Sequence, residues 1–73
     1  MRVYVHMKSG KRLASHGLVD AAAEDFYHNL IQEVGSGAPT ISFESVDGSI
    51  EIITANIEFF YMSENFLLDP GGL

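Results

Sequence analysis

The chain has no cysteine, no tryptophan, only two prolines and only four cations, and each shortage removes a class of protein. Without cysteine there is neither a disulfide staple nor a thiolate metal site, the two usual supports for a domain of 73 residues. Four cations against ten carboxylates leave a net charge of −6. That balance disfavours direct nucleic-acid binding, because neutralising phosphates needs a positive footprint. Long apolar runs are missing too, and none approaches the ~20 residues that cross a bilayer. The first residues, Met-Arg-Val-Tyr-Val-His-Met-Lys, alternate instead of offering the apolar stretch of a signal peptide. The expectation is a soluble cytoplasmic protein that does not enter membranes.

What is present is apolar material. Hydrophobic residues make up 47% of the chain, among them Phe26, Phe43, Phe59, Phe60, Phe66, Tyr4, Tyr27 and Tyr61. A chain this short holds one domain and buries only roughly 60% of its unfolded surface. Packing must supply the stability, and oligomerisation is the remaining support for small scaffolds. The charge is polarised: Arg2, Lys8, Lys11 and Arg12 are the only cations, and every carboxylate follows from Asp20 onward.

Arg2 to Met7 alternates, with Val3, Val5 and Met7 on one side and Tyr4 and His6 on the other, which predicts a strand. Lys8-Ser9-Gly10-Lys11 reads as a turn, and Arg12 to Ser15 as a short returning strand. Asp20 is an expected helix N-cap. From Ala21 to Val34 the residues Ala22, Ala23, Phe26, Tyr27, Leu30, Ile31 and Val34 recur at helical spacing, and Gly35 is the expected C′ residue. Thr40 to Glu44 alternates again, Asp47-Gly48 signals a hairpin, Ser49 to Thr54 returns, and Ala55-Asn56 reverses into a last strand from Ile57 to Met62. The reading is an α+β fold in the order β-β-α-β-β-β: one antiparallel sheet of four to five strands with an amphipathic helix on one face. Residues 1–62 form the domain. Residues 63–73, ending Pro70-Gly71-Gly72-Leu73, read as a C-terminal tail that is either frayed or docked.

Strand alternation applied throughout gives an apolar helix side of Val3, Val5, Met7, Ile41, Phe43, Ile50, Ile52, Ile57, Phe59 and Tyr61. The opposite side keeps Tyr4, His6, Val46, Ile53, Phe60 and Met62 among Ser42, Glu44, Glu51 and Glu58. Two readings of this second apolar side are open: burial by a strongly twisted sheet, or an interface formed face to face or along the edge of the last strand. The expected interface residues are Tyr4, His6, Ile53, Phe60 and Met62.

No constellation carries recognisable catalysis. His6, His16 and His28 lack local metal-site spacing. Glu24 and His28 lie one helical turn apart, which suits a solvated face as well as a ligand pair. There is no nucleophile elbow and no ordered triad, so the chain is read as a non-enzyme without metal or cofactor. Lys8, Lys11 and Arg12 around Gly10 could hold a small anion or nucleotide through charge and backbone amides, which gives an alternative function at a subunit boundary. A third alternative is an acidic inhibitor that imitates nucleic acid.

The segments Ile41-Ser42-Phe43-Glu44, Asp47-Gly48-Ser49-Ile50-Glu51-Ile52 and Asn56-Ile57-Glu58-Phe59-Phe60 resemble a pattern of small uncharacterised proteins of Gram-positive bacteria and their phages. The resemblance covers about a third of the chain and implies a cytoplasmic accessory protein, with no residue role carried over. The leading expectation is a non-enzymatic homo-oligomeric interaction module, its partner another copy of itself or another protein.

Overall fold

The structure, a computed structural model, describes residues 1–64. Its elements are β1 (Arg2–Met7), β2 (Arg12–Ala14), α1 (Asp20–Gly35), β3 (Thr40–Ser45), β4 (Gly48–Ile53), a 3-10 turn at Thr54–Asn56 and β5 (Ile57–Ser63). The expected α+β class and element order hold. The last strand runs one residue beyond the expected domain boundary, and the tail from residue 65 lies outside the described residues.

The single expected sheet is divided in two. One sheet has the order β2-β1-β5 and the other pairs β3 with β4, all antiparallel. The reversal at 54–56 does not fold β5 back on β4; it carries the chain to the first sheet, where β5 pairs with β1 from Arg2↔Ser63 to Met7↔Ile57. The two sheets meet at an isolated bridge between Ser15 and Ser45, supported by the Val46 N–H donating to the Ala14 carbonyl at 3.0 Å. Both serines are buried, so their hydroxyls need partners. Ser15 Oγ accepts from the Val3 N–H at 2.9 Å and donates to the His16 carbonyl at 2.8 Å. Ser45 Oγ donates to the Gly48 carbonyl at 2.8 Å and accepts from the Asp47 N–H at 3.1 Å, closing the β3–β4 turn. Small hydroxylated residues let the strands approach at the corner where the sheets separate.

The helix spans both sheets with adjacent aromatic residues. Phe26 stacks on Phe43 of β3 at 5.4 Å, and Tyr27 meets Phe60 of β5 edge-on at 6.5 Å. Ala23 and Leu30 are buried and Val34 continues the stripe, whereas Ala22 and Ile31, expected on the inner side, lie exposed at its margins. The core joins Val3 and Val5 to Ile41, Phe43 and Ile52 beneath these helix residues. Burying each of these larger side chains favours folding by about 1.5–3 kcal/mol.

Both helix ends differ from expectation. Asp20 is the first helical residue, and the N-cap is Val19, which has no side-chain cap. At the other end Gly35 remains helical. Gly37 takes the left-handed conformation, φ +83°, while its N–H donates to the Val34 carbonyl and the Ala38 N–H to the Glu33 carbonyl. This is the Schellman arrangement, with Gly37 as C′. The helix is thus ended by Gly37 and not by the expected Gly35, a difference of about half a turn.

Candidate functional site

The side of the β2-β1-β5 sheet turned away from α1 gathers Tyr4, His6, Arg12, Phe59 and Tyr61. Directly opposed residues of antiparallel strands share a face. Tyr4 is opposite Ala14 and Tyr61, and His6 is opposite Arg12 and Phe59. Tyr4 therefore stacks on Tyr61 at 4.9 Å and His6 on Phe59 at 4.7 Å, the latter pair nearly parallel at 4°. Phe59 and Tyr61 lie 5.9 Å apart and close the set. Arg12 reaches across from β2: its guanidinium carbon is 5.0 Å from the centre of the Tyr4 ring, and Nη1 donates to the Tyr61 hydroxyl at 3.1 Å. Each aromatic pair adds about 0.5–1.5 kcal/mol beyond area burial. Tyr4 is buried within it, His6 and Tyr61 are half-buried, and Phe59 stays 46% exposed.

The composition of this face overturns the side assigned to the last strand. Phe60 and Met62, expected outside, are opposite Val5 and Val3 and pack on the core, while Phe59 and Tyr61 lie outside. The cause is a bulge. The step from His6 to Met7 on β1 is matched by two residues on β5, from Phe59 back to Ile57, which leaves Glu58 as the extra residue. Ile57 keeps the core side and every residue after Glu58 changes side. Glu58 Oε1 then lies 3.6 Å from His6 Nε2, at the exposed rim of the band.

The five expected interface residues thus do not share one surface. Tyr4 and His6 belong to the band, Phe60 and Met62 to the core, and Ile53 is exposed on the outer side of the β3–β4 hairpin. That hairpin's outer side is otherwise polar, with Ser42 bonded to Glu51 and Ser49 to Glu44. Val46 sits exposed in the turn between its strands.

The three cations of the expected anion site are likewise divided. Gly10 takes φ +92° in the β1–β2 turn, and Lys8 and Lys11 are exposed around it, but Arg12 is directed over Tyr4. Lys11 borders an open groove of about 240 Å³ between that turn and β4, lined by Met7, Leu13, Ile50 and Ile52. A second open groove of about 290 Å³ lies between Ser15–Leu18 and the start of α1, lined by His16, Leu18, Ala22, Phe26 and Glu44. Its lining is mostly apolar, apart from Ser15, His16 and Glu44. Among the described residues no three His, Asp or Glu side chains converge as metal ligands, and Glu24 and His28 are exposed on the helix. No helix of the described residues is long and apolar enough to cross a membrane.

Sequence reasoning missed Phe59 and Tyr61 as members of the band. The signal that points to them is the match of two aromatic pairs, Tyr4 and His6 against Tyr61 and Phe59, which only a β1–β5 pairing explains.

Comparison with known protein families, curated proteins and solved structures finds no match.

Proposed function

We propose that the protein is a non-enzymatic interaction module that works as a homo-oligomer. One observation carries the reading: a stacked aromatic band on the sheet side opposite the helix, ending in the exposed ring of Phe59 beside the strand edge. Ordered aromatic groups lose little conformational entropy on association, which is why they dominate the energetic centres of interfaces. The small core and the absence of disulfides favour the same conclusion. An anion site has less support, because Arg12 is committed to Tyr4 and Tyr61 and only Lys8 and Lys11 remain at the turn.

Sedimentation velocity from low to high micromolar concentration tests the reading. A species of at least twice the 8.0 kDa chain mass is expected, whereas an unchanging monomer overturns it. The disrupting variant is Phe59→Lys, which should shift the population to monomer with an unaltered circular-dichroism spectrum. Phe60→Glu is unsuitable, since Phe60 packs under Tyr27 and a charge there unfolds the core.

A further inference from the structure

We propose that residues 66–69 of this same chain fold back over one end of the aromatic band, Phe66, Leu67 and Leu68 resting on Tyr4 and Tyr61, and Asp69 meeting Arg12. Exposure falls along both strands of the band. On β5 it drops from Phe59, 46% exposed, to the half-buried Tyr61, and on β1 from the half-buried His6 to Tyr4, 2% exposed. Alternation turns Arg2 to the same side, and its Nε is shut off from solvent. Burial thus deepens toward the end of the sheet where Arg2 is opposed to Ser63, which is where the chain leaves the described residues. Side chains of a strand stand roughly perpendicular to the sheet, so the flanking Tyr61 and Arg12 shield the faces of the Tyr4 ring better than its outer edge. Among the described residues, α1 and the β3–β4 hairpin join the core on the other side. Burial of Tyr4 calls for a further layer.

Chain length, composition and charge select the occupant. Residues 65–73 follow directly from Glu64, where the chain bends. The level of Tyr4 and Tyr61 lies only two residues back along the ladder from Arg2 and Ser63, about 7 Å. A reversal at Glu64 and Asn65 therefore brings Phe66, Leu67 and Leu68, three apolar residues in succession, over the two rings. The next residue, Asp69, is the one carboxylate side chain in 65–73. The Arg12 guanidinium stands at the same level, 5.0 Å from the centre of the Tyr4 ring, and its planar fork of donors suits a carboxylate as well as the Tyr61 hydroxyl. Phe59 lies beyond Leu68 on this path and keeps its exposed ring. The cover thus leaves open the end of the band that the homo-oligomeric reading uses, and it stands or falls independently of that reading.

Nuclear Overhauser contacts in the isotope-labelled full chain test the cover. Contacts from the side chains of Phe66, Leu67 or Leu68 to the ring protons of Tyr4 and Tyr61 are expected. Their absence overturns the proposal, and so do contacts to Leu18, Ala22 and Phe26 instead, the apolar groove beside α1. A mixture of labelled and unlabelled chains separates the sources: contacts that arise between chains assign the segment to a second copy and overturn the cover within one chain. Photochemically induced nuclear polarisation, which reports tyrosines open to a dye, gives a second readout in full-length variants. Tyr4 should be silent in the parent and polarised when Phe66→Ser, Leu67→Ser and Leu68→Ser are combined. A Tyr4 polarised in the parent, or still silent in that variant, overturns the cover, because the ring is then either open or buried by the sheet unaided. Asp69→Lys should also raise the Tyr4 signal, and an unchanged signal overturns the pairing with Arg12.

Discussion

Val5 and Phe60 are directly opposed across β1 and β5 and enter the same core, although one alternation carried straight along the last strand puts them on different sides. The pairing locates the decision in a single inserted residue, Glu58, and gives the two adjacent phenylalanines separate tasks.

Phe60→Ala should therefore lower stability by about 2–3 kcal/mol, the loss of a large, partly buried ring with a residual cavity. Phe59→Ala should cost about 1 kcal/mol or less, since it loses mainly one exposed stack. Urea unfolding at one fixed protein concentration compares the two midpoints. Equal losses would contradict the bulge.

Deleting Glu58 removes the bulge but leaves Phe60 and Met62 on the core side and Phe59 and Tyr61 on the band, because Phe59 then follows Ile57 directly and opposes His6 as before. The expected outcome is that cooperative thermal unfolding is retained. Glu58→Ala keeps the residue count and should retain a sharp transition as well. Calorimetry checks both, and a transition lost on deletion would contradict a bulge at Glu58.

The helix C-terminus offers a pair of opposite sign. Gly35 is helical with open space where a Cβ would lie, so Gly35→Ala should stabilise by about 0.5–1 kcal/mol. Gly37 holds a positive φ, so Gly37→Ala should destabilise by about 1 kcal/mol despite equally open space. Thermal unfolding midpoints should move in opposite directions, each by roughly 4–8 °C per kcal/mol.

Val19 stands at the helix N-cap with extended backbone, 75% exposed and without a capping side chain. Val19→Ser supplies an oxygen for the free first-turn amides and sacrifices little packing, so a gain of about 0.5–1 kcal/mol is expected. A midpoint that falls would show that Val19 packs more than its exposure indicates.

The helix and the β3–β4 hairpin were legible in the chain because each is specified locally. Ala23, Phe26, Tyr27, Leu30 and Val34 repeat at helical spacing, and Ile41 and Phe43 alternate up to a tight turn with Gly48 at φ +122°. The division into two sheets was not legible. It depends on β5 choosing β1, and hydroxyls at Ser15 and Ser45 give no periodic signal. The bulge was hidden for a related reason: Ile57, Phe59, Phe60, Tyr61 and Met62 are all apolar, so no polar position marks the change of side. The aromatic band inherits both difficulties, since Phe59 and Tyr61 reach Tyr4 and His6 only through a long-range pairing with a bulge in it. Gly35, expected as C′, illustrates the limit at small scale, because Gly37 two residues later takes that position.

The pairing of the first strand with the last also governs how the protein comes into being. β1 leaves the ribosome early and then waits, on the order of seconds at typical translation rates, until Ile57–Ser63 follows to complete its sheet. In that interval the edge of β1 that β5 will occupy has no strand partner. Synthesis is therefore the exposed period of this protein's life, and slow codons ahead of residue 57 would lengthen it.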